Sequence, residues 1–132
     1  ILTACSPELK LEGGIEKVKD LDGQTLIVHE NRPNSWVNWA HAMNVDPPRA
    51  GNVLRFDSMA AVVQAAAQGL GVAIVSWPLS RRWFERDDLV PALNERVTTG
   101  EKFHVAYRKG EDKRGDVSRF LEWIIREFTL DE

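Results

Sequence analysis

Three short stretches carry side chains suited to holding a small molecule: Asp57-Ser58-Met59, the loop containing Glu30, Asn31, Arg32 and Asn34, and Ser76-Trp77. Each follows an apolar run and precedes a helical pattern, so each falls at a strand-to-helix corner. A helix N-terminus has unbonded N–H groups and a partial positive charge, which suits a carboxylate or phosphate. Such corners favour binding over bond breaking. Asp57 or Ser58 also fits the plainer role of capping the helix that follows, and a capping hydroxyl can face a ligand at the same time. The loop after Val28 is either a ligand contact at a strand's carboxyl end or a polar surface turn. Trp36 is correspondingly a pocket wall or a core residue. Ser76 can cap the next helix, and Trp77 reads either as a ligand platform or as a lid on the sheet.

Catalysis has little support. The chain contains no Gly-x-Ser-x-Gly elbow, no His-Glu-x-x-His and no phosphate-binding Gly-x-x-x-x-Gly-Lys run. His29, His41 and His104 lack metal-ligand spacing, and a single cysteine, Cys5, excludes an intramolecular disulfide and any Cys-based zinc site. No catalytic residue, metal or cofactor is expected. A net charge of -3 gives no general attraction to nucleic acid or acidic membranes, and the pairs Arg81-Arg82, Arg108-Lys109 and Lys113-Arg114 read as solvated faces. No apolar run approaches the roughly 20 residues that span a bilayer, so no membrane partner is expected. The single cysteine is compatible with a reducing cytoplasm. The chain starts in strand-like sequence with neither Met nor a basic leader, which suggests a piece of a longer protein.

The elements that must position these corners alternate along the chain. Strand patterns cover 1–4, 25–29, 52–56, 72–75 and 103–107, with weaker extended pieces at 89–91 and 96–98. Ser6-Pro7-Glu8 supplies a cap, an N1 proline and an early acid for a short helix. Ile15, Val18 and Leu21 have helical spacing, ended by Asp22-Gly23. Asn34 or Ser35 can cap a helix whose apolar face is Trp36, Val37, Trp39, Ala40 and Met43. The helix 58–68 is rich in alanine, with Gly69 as its left-handed stop and Gly71 allowing tight entry into the next strand. A helix from Pro78 to about Glu85 and an amphipathic one over 116–128 complete the set. This alternation predicts an α/β fold with a mainly parallel sheet. The last helix needs a partner surface for the stripe Val117, Phe120, Leu121, Ile124 and Phe128.

From Cys5-Ser6-Pro7-Glu8-Leu9 to Phe120-Leu121-Glu122-Trp123-Ile124, the chain resembles the effector-binding region of LysR-type transcriptional regulators. The match is strongest at Phe56-Asp57-Ser58 followed by Gln64-Ala65-Ala66-Ala67-Gln68-Gly69-Leu70-Gly71-Val72-Ala73-Ile74. The strand-loop-Trp segment 25–39, Asp88-Leu89-Val90-Pro91, and the closing strand and helix support it. The resemblance implies a periplasmic-binding-protein-like (type 2) architecture of two α/β lobes joined by crossing strands. On that scheme 1–5 is a crossover strand and 6–101 the second lobe. Residues 102–132 are the returning strand and a helix of the first lobe. It also implies a cytoplasmic, non-enzymatic sensor that binds a small, commonly anionic effector between lobes. The implied contacts are the segment 30–36, Asp57-Ser58-Met59, Ser76-Trp77 and, more weakly, His104. It further implies a homo-oligomer, dimer or tetramer, using the helix 58–68, with DNA bound only through a helix-turn-helix domain absent from this sequence. The alternative is a lobe of a solute-binding protein serving transport; a more distant one is an enzyme built on a similar sheet.

Overall fold

The computed structural model describes residues 1–129, which divide into two compact units, Ile1–Thr99 and the segment from Gly100 onward. The last three residues of the expected 102–132 segment lie outside the described residues. The first unit runs β1 (Leu2–Cys5), α1 (Pro7–Glu12), a 3-10 turn (Val18–Leu21), β2 (Thr25–His29), α2 (Ser35–Met43), β3 (Asn52–Phe56), α3 (Met59–Ala67), β4 (Val72–Val75), α4 (Trp77–Glu85) and β5 (Val90–Pro91). The second contains a 3-10 turn (Glu111–Lys113) and α5 (Gly115–Thr129).

The five strands form one sheet in the order β3-β2-β4-β1-β5. β2 pairs parallel with β3 and with β4, whereas β1 runs antiparallel to β4 and β5. Every strand but β1 therefore points the same way. The expected parallel character holds for strand direction, with a mixed ladder around β1. The register aligns His29 with Phe56 and Ile27 with Ala73, so the carboxyl ends of β2, β3 and β4 lie along one edge.

From β2 the chain steps to β3, then crosses back over β2 to β4. Right-handed crossovers running opposite ways put their helices on opposite faces of the sheet, and the packing shows this. On one face Trp36, Trp39 and Ala40 of α2 pack with Leu26, Val28, Val72 and Ile74. On the other, Val62, Val63, Ala65 and Ala66 of α3 pack with Ile27, Ala73 and Val75. Leu26, Ile27 and Val28 are all buried, which explains why the apolar run does not alternate with polar residues. Burying each such side chain contributes roughly 1.5–3 kcal/mol.

The local signals are uneven in their outcome. Ser6 caps α1 as expected: its Oγ accepts from Leu9 N at 3.1 Å, with Pro7 at N1. Gly69 takes φ +77° just past α3. A Cβ on Gly71 would stand 2.5 Å from the Thr25 carbonyl oxygen, the close approach expected of that glycine. The helical spacing over 15–21 is overturned in length. Ile15 and Leu21 are buried, but only Val18–Leu21 forms a turn, and it is 3-10. The cause is Asp20, whose Oδ2 accepts from the N–H groups of Glu16 and Lys17 at 3.0 Å each. Those donors are thereby held in a local turn, and the same bonds keep the Asp20 carboxyl below its usual range. α4 starts at Trp77, one residue ahead of Pro78, which takes an early position where its missing N–H is harmless.

The expected strand 103–107 is also corrected. These residues pair with no strand among those described, and all are exposed. A strand exists through its ladder; the alternating Phe103, Val105 and Tyr107 have the pattern without the partner. Arg96–Thr98 is likewise no strand, although Val97 exchanges two backbone hydrogen bonds with Ile1, each 2.8 Å. In the second unit Phe103 packs edge-on against Phe128 at 5.8 Å. α5 buries none of its residues fully, and Phe120, Trp123 and Ile125 are exposed.

Two predictions follow from this packing. Gly71→Ala forces a methyl into the Thr25 backbone, which cannot retreat without opening the β2–β4 ladder. A loss of about 1–3 kcal/mol and a lower midpoint are expected in urea denaturation of the domain. Cys5 is fully buried in β1, and burial pushes its thiol up to about 11 against a weaker opposing pull from Lys10. Only the thiolate reacts readily, so Cys5 should resist Ellman's reagent at pH 8 until denaturant is added; rapid labelling of the native protein would contradict this.

Candidate functional site

The carboxyl edge of the parallel strands gathers the three corners singled out above. The loop after β2 is fixed to β3 by Glu30 N–H donating to Phe56 O at 2.8 Å. It then turns tightly: Asn31 N–H donates to His29 Nδ1 at 3.1 Å and Arg32 N–H to His29 O at 2.9 Å. Glu30, Asn31, Arg32 and Asn34 are exposed around this turn. Trp36 is buried instead: its Nε1–H donates to Ile27 O at 3.2 Å, and its ring meets Trp39 edge-on at 5.6 Å. Of its two readings, the core one is what the packing supports; it braces the loop from beneath.

At the β3 corner Ser58 occupies the cap position of α3, with Val62 N–H donating to its carbonyl at 3.0 Å. Its hydroxyl makes no capping bond. Asp57 precedes it, and both are exposed, while Met59 is half-buried against the α3 core. At the β4 corner Ser76 holds the matching position for α4, again without a side-chain cap bond. Ser76 and Trp77 are half-buried, and the Trp77 ring packs on Phe84 at 5.1 Å. Asn34, at the start of α2, is also a cap in position only. The capping roles expected of Ser58, Ser76 and Asn34 are therefore not exercised by their side chains. Two nine-residue helices, α3 and α4, thus present their N-termini at one edge with the neighbouring hydroxyls uncommitted to their own first turns. A small anion fits such an arrangement.

This edge is also a topological switch point. The loop leaving β2 turns to one face, and those leaving β3 and β4 turn to the other, opening a crevice where open α/β sheets place ligands. His104 belongs to the second unit. There it is exposed and lines a recess of about 370 Å³ with Phe103, Val105, Ile124, Ile125, Phe128 and Thr129. A recess of about 270 Å³ at the amino edge of the sheet includes Asp22 and Lys19, which are paired at 2.8 Å. The Asp22 carboxyl is held below its usual range by that lysine and by the Arg49 N–H. It is on the opposite side of the sheet from the three corners.

One residue of the edge escaped the sequence reading. The Arg96 guanidinium lies over the Trp77 ring, 3.7 Å from its centroid. Nineteen positions separate the two in sequence, and no periodicity links them. The only local hint is that Arg96 is the sole basic residue between Asp87 and Glu101. No group of three or more His, Cys, Asp or Glu among the described residues is arranged to hold a metal ion.

Comparison with known proteins agrees with this architecture. Residues 1–129 match the LysR substrate binding domain, and the chain belongs to that family. It is 32% identical over 96% of its length to an uncharacterized HTH-type transcriptional regulator, y4mQ, of Sinorhizobium fredii. The chain spans 42% of that relative's length. The AmpR effector binding domain from Citrobacter freundii has the same fold, with a TM-score of 0.65 and 21% identity over 92% of this chain and 60% of that one. The regulatory domain of Synechocystis CcmR, solved in complex with 2-PG, aligns with a TM-score of 0.52 and 18% identity over 98% of this chain and 63% of that one. No helix among the described residues is long and apolar enough to cross a membrane.

The three serines at helix starts separate structural capping from an available hydroxyl. Ser6→Ala removes a bond that exists and should destabilise the domain by about 1 kcal/mol. Ser58→Ala and Ser76→Ala remove none and should stay within about 0.5 kcal/mol of wild type. Equal losses at all three positions in chemical denaturation would contradict this distinction.

Proposed function

We propose that this chain is the sensing lobe of a LysR-type transcriptional regulator and performs no catalysis. A small anionic metabolite binds at the carboxyl edge, where the loops after β2, β3 and β4 converge. Residues 6–101 are the lobe itself; 1–5 and 102–132 link it to a companion lobe that supplies the other wall of the site. DNA contact belongs to a separate helix-turn-helix domain of the longer protein, which acts in the cytoplasm as a homo-oligomer. The observation that carries this reading is the match to the LysR substrate binding domain across residues 1–129. The placement of Ser58, Ser76 and Arg32 on the one edge agrees with it. A relative of the same fold solved with 2-PG also supports a small-molecule role.

Binding both lobes favours one of their relative arrangements, and that differential affinity shifts the oligomer presented to DNA. The alternative of a transport lobe is less favoured, because the relative matched across 96% of the chain is a transcriptional regulator.

The test uses the full-length protein that carries this chain, screened by thermal shift against a panel of metabolite anions. A ligand present at 100 times its Kd should stabilise the protein by about 2.7 kcal/mol, raising the melting temperature by several degrees. Ser58→Ala should weaken the ligand response about tenfold while leaving the unliganded melting temperature nearly unchanged. A full response in Ser58→Ala would remove the β3 corner from the site, and no response to any anion would count against sensing.

A further inference from the structure

We infer that Arg96, held over the Trp77 ring, selects the charge of the molecule bound at the carboxyl edge and receives its carboxylate or phosphate. The inference rests on the proposed sensing role and adds a residue and a polarity to it. Arg96 is placed by backbone, not by chance contact. Val97 exchanges two hydrogen bonds with Ile1, and the adjoining Leu2 faces Val75 at the end of β4. Arg96 therefore stands beside the β4 corner, where its guanidinium covers the first residue of α4.

A guanidinium attracted to an indole face is held by its charge, and that contact uses none of its five N–H donors in a hydrogen bond to nitrogen or oxygen. Among the described residues the Trp77 ring is its only partner. The side chain is exposed, and its exposed neighbour Glu95 does not pair with it. The ring contact thus restricts the side chain while leaving its donors uncommitted to the planar pairing that matches a carboxylate or phosphate. Phe84, seven positions further along α4 and on the same face, packs on Trp77 at 5.1 Å and stiffens the platform.

The charge along the edge gives the site a direction. Asp57 stands at the β3 end, Glu30 and Arg32 at β2, and Arg96 with Ser76 at β4. Adjacent strands are about 4.8 Å apart, so the β3 and β4 corners are separated by about 10 Å with β2 between them. At the β3 end the Asp57 carboxylate opposes the N-terminus of α3, whereas at the β4 end a guanidinium adds to the N-terminus of α4 and favours the anion there. The acidic side of the gradient suits a polar or cationic group elsewhere on the same molecule.

The experiment measures binding of glycolate, pyruvate, succinate and inorganic phosphate to the full-length protein by calorimetry, with glycolamide as the neutral control. Arg96→Gln, Arg96→Lys and Ser58→Ala are compared with wild type. The expected result is that anions binding wild type bind Arg96→Gln at least tenfold more weakly. Arg96→Lys should recover part of the loss, and all Arg96 variants should keep the wild-type melting temperature. Arg96→Gln binding within twofold of wild type, with Ser58→Ala impaired, overturns the role of Arg96 and leaves the sensing site in place. A lowered melting temperature with unchanged affinity also overturns it, making Arg96 a strap over α4. Wild-type protein that binds none of these anions overturns both the inference and the anionic reading beneath it.

Discussion

The parallel pairing of β2 with both β3 and β4 is the constraint on which the rest of the first unit depends. One strand placed between two others of the same direction puts three carboxyl ends on one edge. It also forces the crossover helices to opposite faces, so the middle of β2, Leu26 to Val28, is covered twice and is apolar. Close backbone approach follows from the same pairing. Gly71 lies so near Thr25 that no Cβ fits between them, and the Trp36 indole reaches the Ile27 carbonyl from beneath the edge. The candidate corner is a by-product of how this sheet is wound.

The second unit is governed by a different balance. Its helix α5 is long and strongly amphipathic, yet none of its residues is fully buried. Phe103, Val105 and Tyr107 alternate with His104 and Ala106 and are exposed. Most helical stability in proteins comes from burying an apolar face rather than from propensity. Within this unit, local terms do much of the positioning. Arg114 bridges Glu111 and Asp116 at 2.8 and 2.9 Å, which ties the 3-10 turn to the start of α5. The paired carboxylate of Asp116 is accordingly held below its usual range, with the arginine as the main cause.

Much of this was legible in the residues because it depends on local chemistry. Ser6-Pro7 begins a helix, Gly69 ends one, and Thr25–His29 is buried on both sides; each signal is complete within a few positions. The family resemblance carried by Phe56–Ile74 reached further and agreed with the domain match over 1–129. The misreadings have one origin. Ile15, Val18 and Leu21 were spaced for a helix, but Asp20 diverted the backbone donors. Phe103–Tyr107 had strand alternation without a ladder. Ser58 and Ser76 had the type and place of caps without the bond. In each case the pattern stated what a segment is able to do, while its hydrogen-bonding partner decided what it does.

The sequence by itself determined most of the element types of the first unit, the apolar character of the central strands, the strand-to-helix corners and the lack of catalytic or metal motifs. Those follow from periodicity, capping chemistry and residue type, all local quantities. Only the tertiary structure decided that the corners share an edge, that Trp36 faces inward, and that Arg96 lies on Trp77. These depend on strand order and on contacts between residues far apart in the chain. Such contacts form only when burial of the two cores compensates the entropy of closing the intervening loops.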